Sequence, residues 1–500
     1  MPRTTPFDPV PSATRVPAVV VRVAATGSED PAVLGVPVTA TGEVPDAVGL
    51  ARETLAAWGF VGTPGQTLVV PRDGGAVVAT GVGDDPTAAV LRDAAAAFAR
   101  AAGSEAVVVT TLADSGELDA ADAAQAVVEG VLLGRYRYDE LRSPAPDAGP
   151  ALEEVVLLVA PDRVDAAARG AARGHVVARA AAVSRDLANA PGGYLNAPDL
   201  ADVAVRLGAE AGLDVRVYDK AELEELGCGG LLGVNAGSVV EPRMVRVDYV
   251  PAAGAEGAPH LGLVGKGITY DSGGISLKPS NAMHAAMKMD MTGAGAILAA
   301  MTVLRELEVP VRVTAYLACT DNMPSGSATK LGDVLTTRTG KTIEVVNTDA
   351  EGRLVMADAI ALANEDGVDA IVDVATLTGA ALMALGPLTA ALLGNDDALL
   401  AQVEDAARAT DERVWRLPLD DRYRSWLDSE VADIKNLGGE SAGTIIAALF
   451  LAEWVGTTPW AHLDIAGPMR SDKDDAWRTR GATGYGTRLL LGTVERFTGR

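Results

Sequence analysis

Scarcities in this sequence narrow its chemistry. Only two cysteines, Cys228 and Cys319, occur in 500 residues. That is too few for a disulfide framework or a thiolate cluster, and it points to a reducing compartment and two small buried hydrophobes. Histidine is nearly as rare: His175, His260, His284 and His462 are the whole supply. Basic charge is in deficit, with 42 Lys plus Arg against 67 Asp plus Glu and a formal balance of -25. Such a surface repels nucleic acid and anionic membrane and keeps the protein soluble. The opening "MPRTTPFDPVPSATRVPAVVV" lacks a basic n-region followed by an apolar h-region, so no secretory leader is expected and the cytoplasm is the working location. Long uncharged runs are missing too, with one exception at residues 374–394, "VATLTGAALMALGPLTAALLG". Pro387, several Gly and Thr break it, and no Lys or Arg anchors either end. It is expected to be a buried strand turning into packed helix or loop.

What is present reads as alternating strands and helices. A chain of 500 residues exceeds one ordinary core, so two domains are expected. In the first third, "AVVVRVAA", "TLVVPR", "AVVATGVG", "AVVVTT" and "LEEVVLLVA" are strand candidates around the helical "AAVLRDAAAAFARAAG" and "AADAAQAVVEGVLLGRYRY", a pattern that implies an α/β layer with a largely parallel sheet. The Pro- and Gly-rich "RSPAPDAGPALEE" is expected to be a long loop within that domain. The run "DRVDAAARGAARGHVVARAAAVSRDLANA", stopped by "PGG", reads as a connecting helix. These readings place an N-terminal α/β domain at 1–165, the connecting helix at 166–190 and a larger α/β domain at 191–500.

Charged residues in the second series stand at strand ends, where ligands of open α/β sheets bind. "NTDAEGRL" follows the strand-like "TIEVV" and holds Asp349, Glu351 and Arg353 on alternate residues, a spacing that extended backbone would place on one side. Upstream, "GLVGKGITYDSGGISLKPS" carries Lys266, Asp271 and Lys278, and "MKMDMTGAGA" carries Asp290 just before a helix. The glycines do not make a phosphate loop, because Lys266 is followed by Gly267 and the P-loop spacing fails. Taken singly, each Asp reads equally as a helix cap or turn residue. Gathered, four carboxylates repel one another and call for cations.

Together, "VGKGITYDSGGISLKPS", "MKMDMTGAGA" and "NTDAEGRLVMADA" resemble the leucyl aminopeptidase family of dinuclear metallo-exopeptidases, also called cytosol aminopeptidases. The resemblance runs from "SRDLANAPGGYLNAPDLA" to "WAHLDIAG" and is weak in the first third. It departs at "NAMHAA", where one residue looks inserted before Asp290, and at Lys330-Leu331, where relatives tend to carry Arg-Pro. The resemblance implies a smaller N-terminal α/β domain and a catalytic α/β domain with a central mixed sheet, joined by a long helix. It also implies two divalent metal ions per subunit, Mn2+ or Zn2+. Lys266, Asp271, Asp290 and Glu351 would hold one; Asp271, Asp349 and Glu351 would hold the other. Lys278 and Arg353 match the catalytic positions, the arginine as the seat of a bicarbonate general base. Met287, Thr376, Gly379, Ala466 and Met469 match the pocket for the first side chain, although core packing explains each equally well.

The expected activity is release of N-terminal amino acids, preferably Leu or other apolar residues, through a hydroxide bridging the two metal ions, with Lys278 stabilising the oxyanion. Peptide substrates with a free N-terminus and a homo-hexamer are the expected partners. The alternative is a DNA-binding or regulatory moonlighting role of the same fold, against which the acidic balance argues. A dinuclear phosphoesterase would ordinarily use histidine ligands, which the motifs lack. His284 neighbours a motif and is expected at the surface, and Asn347 fits fixing a turn as well as touching substrate.

Overall fold

A computed structural model describes residues 7–27, 31–103, 105–143 and 149–499. The chain divides into two compact units, Met1–Ala182 with Ser471–Gly481, and Val183–Arg470 with Ala482–Arg500. The division falls inside one helix, Val164–Asn189.

In the first unit, strands β1 (Val20–Ala25), β2 (Val33–Val38), β3 (Thr67–Arg72), β4 (Gly75–Gly81), β5 (Val107–Thr110) and β6 (Glu154–Val159) form a sheet ordered β1-β6-β5-β2-β4-β3. Every pairing is parallel except β3 with β4. Thr87 caps the helix Ala88–Ala101 and Asp119 caps Ala120–Gly134, each side chain accepting first-turn N–H groups. Both helices pack Leu91, Phe98, Val127 and Val131 against Val155 and Leu157 of β6. The sequence pattern hid β2, whose Pro37 argues against an interior strand. It is tolerated because β5 pairs only with Leu34 and Gly35 of β2, so Pro37 lies past the doubly paired stretch. Of the proline-rich loop, residues 144–148 lie outside the described ones.

The second unit holds β7 (Asp214–Tyr218), β8 (Arg243–Tyr249), β9 (His260–Asp271), β10 (Arg312–Asn322), the short β11 (Val334–Thr336) and β12 (Thr342–Glu344), β13 (Ala370–Ala375), β14 (Ala390–Gly394), β15 (Val414–Arg416), β16 (Ile434–Lys435) and β17 (Trp460–Asp464). Eight of them make a mixed sheet ordered β15-β14-β17-β13-β9-β10-β8-β7, and β11-β12-β16 form a small separate one. β17, β13, β9 and β10 run parallel at its centre. Their residues are buried almost throughout, as expected of strands covered on both faces. The uncharged run at 374–394 resolves into the end of β13, the helix Gly379–Leu385 and β14. Among the described residues no helix is long and apolar enough to cross a membrane.

One local expectation needs correcting. β12 stops at Glu344, and Glu351 already has helical dihedrals, φ −78 and ψ −35, as N-cap of the helix Gly352–Glu365. Asp349, Glu351 and Arg353 therefore do not share a face of extended backbone.

That helix is fastened by Asp358, a fully buried carboxylate that accepts from Leu231 N and Arg338 N at 2.9 Å each. Burial pushes its carboxyl up to about 7 against the pull of these donors. The folded chain then binds a proton that the unfolded chain has released between about pH 4 and 7, so this group's stabilisation falls as pH rises through that window. In denaturant titrations against Asp358→Asn, the parent is expected to lose relative stability from pH 4 to 7 and to hold level above. A gap that widens above pH 7 would contradict this.

Candidate metal centre

Four parallel strands end on one edge of the large sheet, and the polar residues of the motifs collect there. β9 ends at Asp271, β10 at Asn322 and β17 at Asp464, while β13 runs out into Thr376. Lys266, inside β9, places Nζ 2.9 Å from Asp290 Oδ1, 2.8 Å from Asp290 Oδ2 and 2.9 Å from Glu351 Oε1, and donates to the Thr376 carbonyl at 3.0 Å. Lys278 Nζ lies 2.7 Å from Asp271 Oδ2 and also bonds Asp349 Oδ1. Oxygens of Asp271, Asp290 and Glu351 come within 4.8 Å of one another, all three residues buried. The side chains of Lys278 and Asp349 keep 18% and 33% exposure, so solvent reaches the centre on their side.

Each group has a local reason for its place. Asp271 Oδ1 accepts from Gly273 N and Asn322 Nδ2, both at 2.9 Å. Gly273 has φ +88, and a Cβ there would stand 2.7 Å from Asp349 Oδ1, so the turn bringing Lys278 back over Asp271 requires glycine. Asp290 closes the 3₁₀ turn Ala286–Met289, and its Oδ1 accepts from Thr376 Oγ1 at 2.7 Å. Glu351 sits at a helix N-terminus, where the backbone dipole favours negative charge. Asn347 fixes the preceding turn, its Oδ1 accepting from Asp349 N at 2.8 Å.

Four carboxylates against two ammonium groups leave negative charge in excess. Burial pushes the carboxyls of Asp290, Asp349 and Glu351 above their ordinary range, with Asp271 adding to the rise. Burial also pulls Lys266 down, but Asp290, Glu351 and Asp271 outweigh it and hold the amine charged. Lys278 behaves in the same way beside Asp271 and Glu351. Glu351 Oε2 is buried without a hydrogen-bond partner, an orphaned oxygen on a residue of the cluster. These donors fit divalent cations: hard carboxylate oxygens, converging, with one amine.

Arg353 stands apart. It lies in the first turn of the helix, 4% exposed, with Nη1 donating to the Asn436 carbonyl at 2.9 Å and Nε unpartnered. Burial lowers its guanidinium to about 10. It forms no ion pair with a centre carboxylate. Thr376 and Met287 are buried, Met469 is buried beyond β17, Ala466 is half-buried, and Gly379 is exposed at the start of its helix. His284 departs from expectation: it is half-buried, its Nε2 has no partner, and its ring lies 5.9 Å from Tyr270. Both cysteines are fully buried, and burial pushes each thiol up to about 12.

Sequence reasoning missed Asn322, Asn436 and Gly352. Asn436 Oδ1 accepts from Val346 N at 2.9 Å and its Nδ2 donates to the Asn347 carbonyl at 2.6 Å, holding the loop of the acidic motif. Gly352 leaves room for Lys266, whose Cε lies 2.6 Å from where a Cβ would be. Its signal was available, since the glycine stands inside the quoted motif.

The fold and this centre define a class: a two-unit α/β protein with a buried acidic centre suited to cations. The family model "Cytosol aminopeptidase family, catalytic domain" matches residues 182–491, and its N-terminal counterpart matches 37–145. A probable cytosol aminopeptidase of Roseiflexus castenholzii is 48% identical, over 75% of this chain and 77% of that one. One of Chlorobaculum tepidum is 44% identical over 84% and 86%. Among solved structures, the bottromycin maturation enzyme BotP in complex with Mn matches with TM-score 0.84 and 42% identity over 93% of this chain and 99% of that one. A mutant of tomato leucine aminopeptidase matches with TM-score 0.85 and 31% identity over 96% and 97%. The chain belongs to the cytosol aminopeptidase family, a family of metal-dependent enzymes, and is an aminopeptidase.

Gly352→Ala forces the Lys266 side chain aside. A displacement of about 1 Å at such a centre costs on the order of 10²-fold in turnover, and that loss is expected with an unchanged circular dichroism spectrum. Turnover within about threefold of the parent would mean that Lys266 need not stand where it does.

Proposed function

We propose that the chain is a cytoplasmic enzyme that releases N-terminal amino acids, preferably Leu or other apolar residues, from peptides with a free N-terminus. It uses two divalent cations per subunit, Mn2+ or Zn2+, and works as a homo-hexamer. The observation that carries this reading is the buried excess of carboxylate over ammonium around Lys266 and Lys278. The Mn named for BotP supports it. Lys266, Asp271, Asp290 and Glu351 would hold one cation, and Asp271, Asp349 and Glu351 the other. Bound there, the pair would supply an acidified water and Lewis-acid polarisation of the scissile carbonyl.

The chain's own groups do the rest. Lys278, on the solvent side of the cluster, would hold the negative charge that develops on the carbonyl oxygen. Arg353 holds an anion, bicarbonate in this reading, at a helix N-terminus; that anion takes the proton that every committed carboxylate is unable to accept. Lys266 ligates only as the neutral amine, so it must give up the proton that the carboxylates now hold on it, and cation affinity rises with pH. Thr376, Gly379, Ala466, Met287 and Met469 shape an apolar seat for the first side chain.

Hydrolysis of leucine p-nitroanilide should disappear on chelation and return with Mn2+ or Zn2+, while Asp349→Ala should stay inactive after re-addition. Full activity in the chelated enzyme would end the reading. Lys278→Ala is expected to lower turnover at least about 10²-fold with metal content unchanged, and near-normal turnover would remove its role. In degassed buffer, activity should rise when bicarbonate is added to the parent but not to Arg353→Ala.

A further inference from the structure

Asp464 is a fully buried carboxylate at the end of β17. Among the described residues it forms no ion pair, and the groups it accepts from belong to loop backbone or to a hydroxyl. Leu377 N, Thr378 N and Ala466 N donate to Oδ1 at 3.1, 3.3 and 3.2 Å, and Thr378 Oγ1 donates to Oδ2 at 2.6 Å. Its direct hydrogen bonds all come from neutral donors, with Arg353 and His462 acting on it only at longer range, and hydrogen bonds to a buried carboxylate are strong enough to hold those donors in place. The loop so clamped is the continuation of β13, and its first residue is Thr376. The Thr376 carbonyl receives Lys266 Nζ at 3.0 Å, and its hydroxyl donates to Asp290 Oδ1 at 2.7 Å and lies 3.0 Å from the Asp290 carbonyl. Thr378 also meets Thr444 Oγ1 at 2.9 Å, tying the loop to the helix Gly443–Val455.

The other half of the centre has a separate anchor. Asn322 joins Asp271 to the Thr348 carbonyl at 2.9 Å each, and Thr348 Oγ1 donates to the Gly273 carbonyl at 2.7 Å. Nothing in that network passes through Asp464.

We propose that Asp464 is a positioning residue: by clamping the loop Thr376–Thr378 it sets Lys266 and Asp290, and so builds the cation site that contains them while leaving the Asp349 site alone. This rests on the two-cation reading above. Partners that orient metal ligands are worth about 10- to 100-fold in metal affinity.

The test is Mn2+ content after dialysis, with turnover, on the full chain. The parent should retain two Mn2+ per chain. Asp464→Ala should retain one and lose about 10-fold or more in turnover. Asp464→Asn should retain two, because its amide oxygen can replace Oδ1 and its NH2 can donate to the Thr378 hydroxyl, which turns toward Thr444. A residue that only stabilised the fold would lower the melting temperature of the alanine variant without changing its Mn2+ count. Asp464→Ala that folds, keeps two Mn2+ and turns over normally overturns the proposal. Should that variant not fold, Thr378→Val decides: weaker retention of one Mn2+ supports the clamp, and parental retention overturns it. A parent that binds no Mn2+ sinks the two-cation reading itself, a result distinct from any of these.

Discussion

Three carboxylates share a space too small for their charge. Oxygens of Asp271, Asp290 and Glu351 lie within 4.8 Å of one another in a buried pocket. At such separations and intermediate dielectric, each pair of like charges repels by roughly 3 to 4 kcal/mol. Positive charge answers that repulsion, and the chain supplies it with Lys266 from inside β9 and Lys278 from the loop beyond. Lys266 is paired with β10 and follows directly on the stretch of β9 paired with β13, so its backbone is fixed beside the centre. A dication arriving there competes with a proton for the same electron-rich place.

The surroundings of the charged groups follow from the same constraint. More carboxylates would deepen the repulsion, and more ammonium groups would remove the demand for a metal. The layer that holds the cluster is accordingly made of amides, hydroxyls and backbone N–H: Asn322 on Asp271, Thr376 on Asp290, Asn436 on the loop before Glu351. Such donors fix geometry without changing net charge. Asp464 is the exception, and its negative charge is spent on loop N–H groups rather than on a cation.

How much of this was legible depended on the range of each interaction. Asp271, Asp290, Asp349 and Glu351 stand in dense local motifs at strand or helix ends, where α/β sheets collect ligands, but their gathering with Lys266, inside β9, was implied by the family resemblance rather than by spacing. Strands such as β9 and β13 announced themselves through stretches rich in apolar residues. β2 did not, because Pro37 is acceptable only where β5 has already stopped pairing, and no local pattern carries that fact. Nor does the sequence around Asn322, Asn436 or Asp464 advertise a role, since each acts mainly through partners tens of residues away. The alternation of Asp349, Glu351 and Arg353 suggested a strand, but the helix begins at Gly352; period two over five residues does not separate a strand from a turn entering a helix.

Arg353 shows how the same chain treats a buried guanidinium with and without a structural purpose. Arg92 in the first unit is equally buried, and its Nε meets Glu129 at 2.7 Å, a paired charge of the kind interiors tolerate. Arg353 has no carboxylate in direct contact, only Glu351 and Asp464 at longer range, leaves Nε empty, sits in the first turn of a helix where the dipole disfavours a cation, and is held by one carbonyl and the Phe450 ring, whose centroid is 6.0 Å away. Burial drags its pKa down to about 10, so it remains charged at neutral pH. A folded chain that needed only packing would place an apolar side chain there at less cost. The anion proposed above for this position would meet the guanidinium and the positive end of the helix together.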